Sequence, residues 1–465
     1  MPLRHQPHYV RQVKTKKNKG NRMDLGFLQF ELDYYPVTIY QFMSVPLALM
    51  FYCLSITGRL PLTARYIFLM FGGLLMAIVS MGFYAVLVLI PSVLSMVFIL
   101  SLEPRIIHKW TFLTQMGWQT LCHLWLHYKD YYLQEATDIK FIIALSSLML
   151  LTQRVTSMSM DIHEGEIKIP ARIMQQNGLG SEILYCSLPY FSYMLYFPAL
   201  LGGPLCSFQM FRIHIENLKE SGHKCIAKPL WSFFKKCVLF FLLNMLRISV
   251  RNCISVIEQS NQGSLQWGVP KDILLIWITA LMFRLAYYSQ WLLSESLNNL
   301  VGLGLDNGRT GKATLSDADI WTLETTSKIS EIARTWNKTT AGWLRRMVFQ
   351  HSKVQPLMST FAFSAWWHGL HPAQIFGFIL WAATVKADYH VHRYMGSVTA
   401  GSRVLRILYK VLTWMQTQLV IAYILVAVEL RSFSCVLVLC KSVCTVCPLL
   451  YVLVLIGMPN KPSKN

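Results

Sequence analysis

His368 sits in the apolar run from Ser359 to Val385, a stretch with no Lys, Arg, Asp or Glu. Burying a titratable group in such a run is costly, and ionisable residues at membrane depth are read first as functional. An imidazole titrates at about pH 6.5 when unperturbed, so it can take a proton from a hydroxyl at neutral pH. The bland alternative is a histidine that only hydrogen-bonds between helices. The flanking sequence Ser364-Ala365-Trp366-Trp367-His368-Gly369-Leu370-His371-Pro372 favours the first reading. Gly369 and Pro372 suit an opened backbone with room for a ligand.

A second group lies upstream, in Ala333-Arg334-Thr335-Trp336-Asn337-Lys338-Thr339-Thr340-Ala341-Gly342-Trp343. Asn337-Lys338-Thr339 formally matches a glycan acceptor, but its aromatic and basic surroundings argue against glycan access. From Trp321 to Gln350 the chain mixes Trp and Ile with Lys and Arg, as helices lying at a membrane interface do. The cations Arg334, Lys338, Arg345 and Arg346 belong to that stretch.

The elements that must position these groups follow from composition. The chain has 465 residues, 54% hydrophobic and 14% charged, against roughly 25% charged in a soluble domain. Lipid must cover much of it. The uncharged run Tyr66 to Leu102 would be about 55 Å long as one helix, and a bilayer core is about 30 Å thick. It therefore reads as two spans hinged near Gly82 to Tyr84. Further candidate spans are Val37 to Ile56, Trp110 to Leu126, Phe141 to Gln153, Ile183 to Phe208, Cys237 to Val250, Ile273 to Leu293, Ser359 to Val385, Val411 to Val428 and Ser442 to Ile456. The fold class is all-α: a polytopic helical membrane protein of about eleven transmembrane helices, with interfacial or re-entrant helices, around a central water-accessible cavity. Pro189, Pro198 and Gly202-Gly203-Pro204 mark Ile183 to Phe208 as broken or re-entrant.

Residues 1–22 are basic, lack acids and read as a disordered extension; 23–465 read as a single membrane domain. Translation could also start at Met23, and the positive-inside rule then puts the N-terminus outside the cytosol. The net charge of +20 could serve nucleic acid, anionic lipid or a phosphorylated ligand. Its basic residues sit in short loops and form no nucleic-acid module, so no nucleic-acid partner is expected. Eleven Cys are scattered through apolar segments as packing residues. Cys440, Cys444 and Cys447 lack a second pair, and no metal site is expected. Two rival classes stay open. His123, His127, His368, His371, His390 and His392 could be taken for a histidine-box metal oxidase, and the broken segment would suit a transporter with His368 in its pathway.

Trp336-Asn337 followed by His368 in an apolar helix resembles the signature of the membrane-bound O-acyltransferase family. The likeness extends through Trp110 to Glu135, Ser146 to Gly165, Leu188 to Phe208, Asp317 to Ser352 and Phe361 to Ala382. What it implies is a multi-pass enzyme of the endoplasmic reticulum membrane. The enzyme would transfer an acyl group, octanoyl by this resemblance, from acyl coenzyme A as co-substrate to a serine hydroxyl of a secreted peptide hormone. His368 would be the general base, and Asn337 would orient the acyl group or donate to the developing oxyanion. Trp336 falls in the donor-binding motif. Arg334, Lys338, Arg345 and Arg346 would anchor the donor's phosphates, although each could instead snorkel to membrane lipid headgroups. Phe361 and Ser364 precede His368 by seven and four residues, on its helix face. Phe361 is the better candidate for an acyl-tunnel wall. Trp381 is weaker, because Pro372 interrupts helical phase. No permanently bound cofactor is expected.

Overall fold

The computed structural model describes residues 36–167, 179–218, 226–259, 268–304, 315–317, 319–430 and 433–457. The basic extension 1–22 and the alternative start at Met23 lie outside these residues. In chain order the helices are α1 (Pro36–Met43), α2 (Val45–Ile56), α3 (Leu62–Met81), α4 (Val86–Ser101), α5 (Pro104–His127), α6 (Ile139–His163), α7 (Leu179–Met194), α8 (Phe208–Asn217) and α9 (Ala227–Gln259). There follow α10 (Gly268–Leu300), α11 (Ile320–Thr325), α12 (Ile329–Thr335), α13 (Lys338–Leu344), α14 (Pro356–Trp367), α15 (Pro372–Val398), α16 (Arg403–Leu430), α17 (Phe433–Cys440) and α18 (Val446–Gly457). No strand occurs among the described residues.

Among the described residues, six segments are long and apolar enough to cross a membrane: Val37–Ile56, Leu62–Ser101, Ile139–His163, Ala227–Ile257, Pro270–Leu300 and Arg403–Glu429. The 40 residues of Leu62–Ser101 are interrupted by a 3-10 turn at Gly82–Ala85, where the sequence places its hinge. The other long helices extend past the apolar runs, because their ends are polar. The run Ser359 to Val385 is not one span. It is two helices, α14 and α15, and the chain between Trp367 and Pro372 is where α14 ends. The interfacial stretch is likewise three short helices, α11 to α13, and a π turn at Arg345–Phe349.

Inside a bilayer every freed backbone carbonyl needs a partner from the protein. At two interruptions the structure meets this with a side chain from a neighbouring helix. Pro91 in α4 cannot donate to Leu87, and the Trp118 indole of α5 takes that carbonyl at 3.0 Å. After α7 the chain runs through a 3-10 turn at Phe197–Ala199, as its Pro and Gly content predicts. Arg154 of α6, buried, donates to the Met194 carbonyl at 3.1 Å and to that of Ala199. Here backbone and helix approach closely. A Cβ on Gly73 of α3 would fall 1.6 Å from the Leu195 carbonyl oxygen, so only glycine fits.

The central helix is α6. Ser147, Thr152, Gln153, Arg154, Thr156, Ser157, Ser159 and Asp161 are all buried on it. Lipid gives apolar helices little reason to associate, so packing and polar contacts of this kind supply the specificity.

Candidate active site

His368 closes α14. Its N–H donates to Ser364 O at 2.9 Å, Gly369 N to Trp366 O at 3.1 Å and Leu370 N to Ala365 O at 3.1 Å. Gly369 has φ +111°, and a Cβ there would lie 2.5 Å from His123 Nδ1. Leu370 follows at φ +60°. This left-handed exit ends the helix and half-buries the imidazole beside the break. The ring stacks on Phe378 of α15, with centroids 5.1 Å apart.

Phe378 in turn stacks on Trp381 at 6.5 Å, and Trp381 meets Phe361 at 5.6 Å. The α14–α15 break thus turns Trp381 back onto the face that carries Phe361, a phase that the sequence alone could not supply across Pro372. Ser364 is buried on α14 and carries the carbonyl that anchors the His368 backbone.

Asn337 has φ +49° and ψ +66°, a left-handed position that Asn tolerates better than most residues. It is the N-cap of α13: its Oδ1 accepts from Thr340 N at 3.3 Å. The two N–H donors of its amide stay uncommitted among the described residues. Lys338 N donates to the Asp317 carbonyl at 2.6 Å. The Thr339 hydroxyl donates to the Asp317 carboxylate and accepts from Leu205 N at 2.9 Å. The broken segment is therefore tied to the turn that holds Asn337. Burial pushes the Asp317 carboxyl up to about 6, although the Thr339 hydroxyl favours its ionised form.

Trp336 packs edge-on against Trp291 at 5.1 Å and Tyr287 at 5.5 Å of α10. It shares one apolar cluster with Phe361, Trp381, Ile329 and Ile332. Arg334 and Arg345 are exposed and Lys338 is half-buried. Arg346 differs, because it reaches Asp161 at 2.5 Å and Glu164 at 2.7 Å. It braces the π turn against the end of α6.

Residues of α5 also reach the break after His368. Gln119 Nε2 donates to Trp367 O at 2.5 Å, and His127 Nε2 lies 2.6 Å from Gly369 O. The His127 ring also lies 4.4 Å from that of His371, centroid to centroid. The i, i+4 pair on α5 therefore packs against the break: His123 fills the space beside Gly369, and His127 meets its carbonyl. No group of three or more His, Cys, Asp or Glu converges as metal ligands among the described residues. On α15, the buried Asp388 accepts from Ser330 N at 3.0 Å and caps α12, the helix that leads into Trp336 and Asn337. A groove of about 440 Å³ lined by Phe42, Val45, Phe233 and Phe241 lies between α1–α2 and α9 and shares no residue with this site.

The family described as MBOAT, membrane-bound O-acyltransferase family, matches residues 183–427, which include Asn337 and His368. Membrane-bound ghrelin O-acyltransferase MBOAT4 of Rattus norvegicus is 45% identical over 442 residues, covering 95% of this chain and 100% of that protein. Its counterpart in Mus musculus is 44% identical over 434 residues, 93% of this chain and 98% of that protein. Membrane-bound glycerophospholipid O-acyltransferase 2 of Homo sapiens is 26% identical over 414 residues, 84% of this chain and 78% of that protein.

Proposed function

The chain belongs to the membrane-bound O-acyltransferase family, and on that premise we propose that it moves an octanoyl group from acyl coenzyme A to a serine hydroxyl of ghrelin, a secreted peptide hormone. The observation that carries the reading is the identity with the rat ghrelin O-acyltransferase, 45% along 95% of the chain. It is a multi-pass membrane enzyme. An acceptor bound for secretion would meet it in the endoplasmic reticulum membrane.

In this reading the serine hydroxyl attacks the thioester carbonyl while His368 takes its proton. The carbonyl oxygen gains negative charge, and an amide N–H of Asn337 donates to it; a neutral donor brings no charge that must itself be buried. Collapse breaks the carbon–sulfur bond. The departing thiolate recovers the proton from the imidazolium, which leaves an ester and free coenzyme A. No enzyme-bound acyl intermediate is required. Arg334, Lys338 and Arg345 would face the donor's phosphates, with Trp336 setting the position of their turn. Arg346, already held by two carboxylates, contributes as a strut.

Purified full-length protein incubated with labelled octanoyl coenzyme A and ghrelin peptide should yield one ester, lost when the acceptor serine is replaced by alanine. Acylation of a lysophospholipid with none of the peptide would overturn the acceptor assignment.

Phe361 is assigned to the acyl-tunnel wall together with Trp381, whose ring it meets. Phe361→Ala should move preference toward donors longer than eight carbons, because each added methylene that becomes buried gains about 0.8 kcal/mol. The octanoyl donor should bind less well, since the enlarged space no longer packs around it. Competition between acyl donors of different length reads this out, and an equal loss at all lengths would make Phe361 a support of the fold only.

A further inference from the structure

We infer that Gln119 of α5 and the consecutive pair Thr152 and Gln153 of α6 are positioning residues that set His368 and Asn337 relative to one another. The inference rests on the roles proposed above for those two side chains. In the last turn of α14 the carbonyls of Ser364, Ala365 and Trp366 are taken by backbone N–H groups. Trp367 O is taken by Gln119 Nε2 instead, at 2.5 Å, immediately before His368. Gln119 is held in turn by α6, where the Thr152 hydroxyl donates to its Oε1 at 2.8 Å.

The next residue on α6 reaches the other half of the site. Gln153 Nε2 donates to the Thr340 hydroxyl at 3.0 Å, and Thr340 N donates to Asn337 Oδ1 at 3.3 Å. Further along the same helix, Thr156 accepts from the Trp343 indole at 3.0 Å and Asp161 pairs with Arg346. Thus α13 and its π turn are gripped at Thr340, Trp343 and Arg346, and the α14 exit is gripped through Gln119. The Gln119 and Thr340 grips start from two adjacent residues of α6, Thr152 and Gln153. Gln119, Thr152 and Gln153 are each no more than 1% exposed. Apolar residues of the same size would fill that space with less desolvation cost, so polar side chains here serve orientation rather than packing.

The test uses the full-length enzyme in detergent or nanodiscs, with kcat expressed per folded molecule from size-exclusion chromatography. Gln119→Met and Gln153→Met keep volume and remove the donor. Each should lower kcat about 10- to 100-fold, as displacement by about an ångström does, with KM for donor and peptide nearly unchanged. Thr152→Val should lower kcat likewise and Thr152→Ser should restore most of it. Because Thr152 acts through Gln119, the double variant Thr152→Val with Gln119→Met should be no slower than Gln119→Met alone. Wild-type kcat in the Met variants, or a loss fully accounted for by less folded protein, overturns the inference. If Gln119→Met does not fold, the contrast between Thr152→Val and Thr152→Ser decides. His368→Ala run in parallel separates the two levels. An active His368→Ala enzyme defeats the general-base reading, whereas an inactive one beside a normal Gln119→Met enzyme defeats only the positioning inference.

Discussion

His368→Ala is expected to lower kcat by about 10²- to 10⁴-fold, the range of a lost general base, while leaving donor binding and assembly largely intact. The structure explains why fold and chemistry separate at this position. The His368 backbone has an ordinary φ of −78°, and its N–H bond to Ser364 is available to any residue. Its ring is half-buried, stacks on Phe378 and meets Trp367 edge-on, so its removal trims these two aromatic contacts and leaves the backbone hydrogen bonds of the helix exit in place. That exit depends on the next residue, Gly369, where any side chain would collide with His123. His371→Ala should be milder in turnover, because His371 is the buried N-cap of α15 and its ring packs beside that of His127. Single-turnover kinetics with donor binding measured separately would check both variants. Activity above about a tenth of wild type in His368→Ala would remove it from the base role, and equal losses at 368 and 371 would point to a shared structural contribution.

How much of this was legible in the sequence depends on how local the signal is. His368 stood out because its neighbours are apolar, and the break after it because Gly369 and Pro372 lie within four residues. The Gly82 hinge followed from length against bilayer thickness, and the interrupted segment before Phe208 from its prolines and glycines. What could not be read is whatever joins distant parts of the chain. Gln119 and Trp367 are 248 positions apart, and Gln153 and Thr340 are 187 apart. Both glutamines fall in candidate spans, but nothing in the local pattern says which distant group either one meets. Arg346 shared its basic, interfacial setting with Arg345, and only the fold places Asp161 and Glu164 against one of them. Trp381 was unreadable for a different reason: the angle at a helix break depends on how α14 and α15 pack, and no periodicity carries through it.

The same limit bears on Asn337, for which the informative substitutions come from its backbone conformation. At φ +49° alanine would add strain to any catalytic loss, so Asn337→Ala cannot separate the two. Thr339→Ala, the usual way to remove a glycan signal, is no cleaner, because Thr339 also binds Asp317 and Leu205 N. Asn337→Asp retains a side-chain oxygen to cap Thr340 N and tolerates the left-handed backbone. It loses both amide donors and presents a negative charge to the developing oxyanion. Its kcat should fall about 10²- to 10³-fold, the scale of a lost oxyanion donor. Asn337→Gly suits the backbone but removes cap and donor together. It should match that fall in kcat and show in addition a stability loss of only a few tenths of a kcal/mol, since glycine is itself a tolerated cap. A residue that served only as cap would give the reverse order, with Asp near wild type and Gly the poorer of the two. Thermal unfolding beside kcat for the two variants distinguishes these cases. Intact-mass analysis of the peptide that carries Asn337 should show an unmodified amide, and a glycan there would end its assignment to the chemistry.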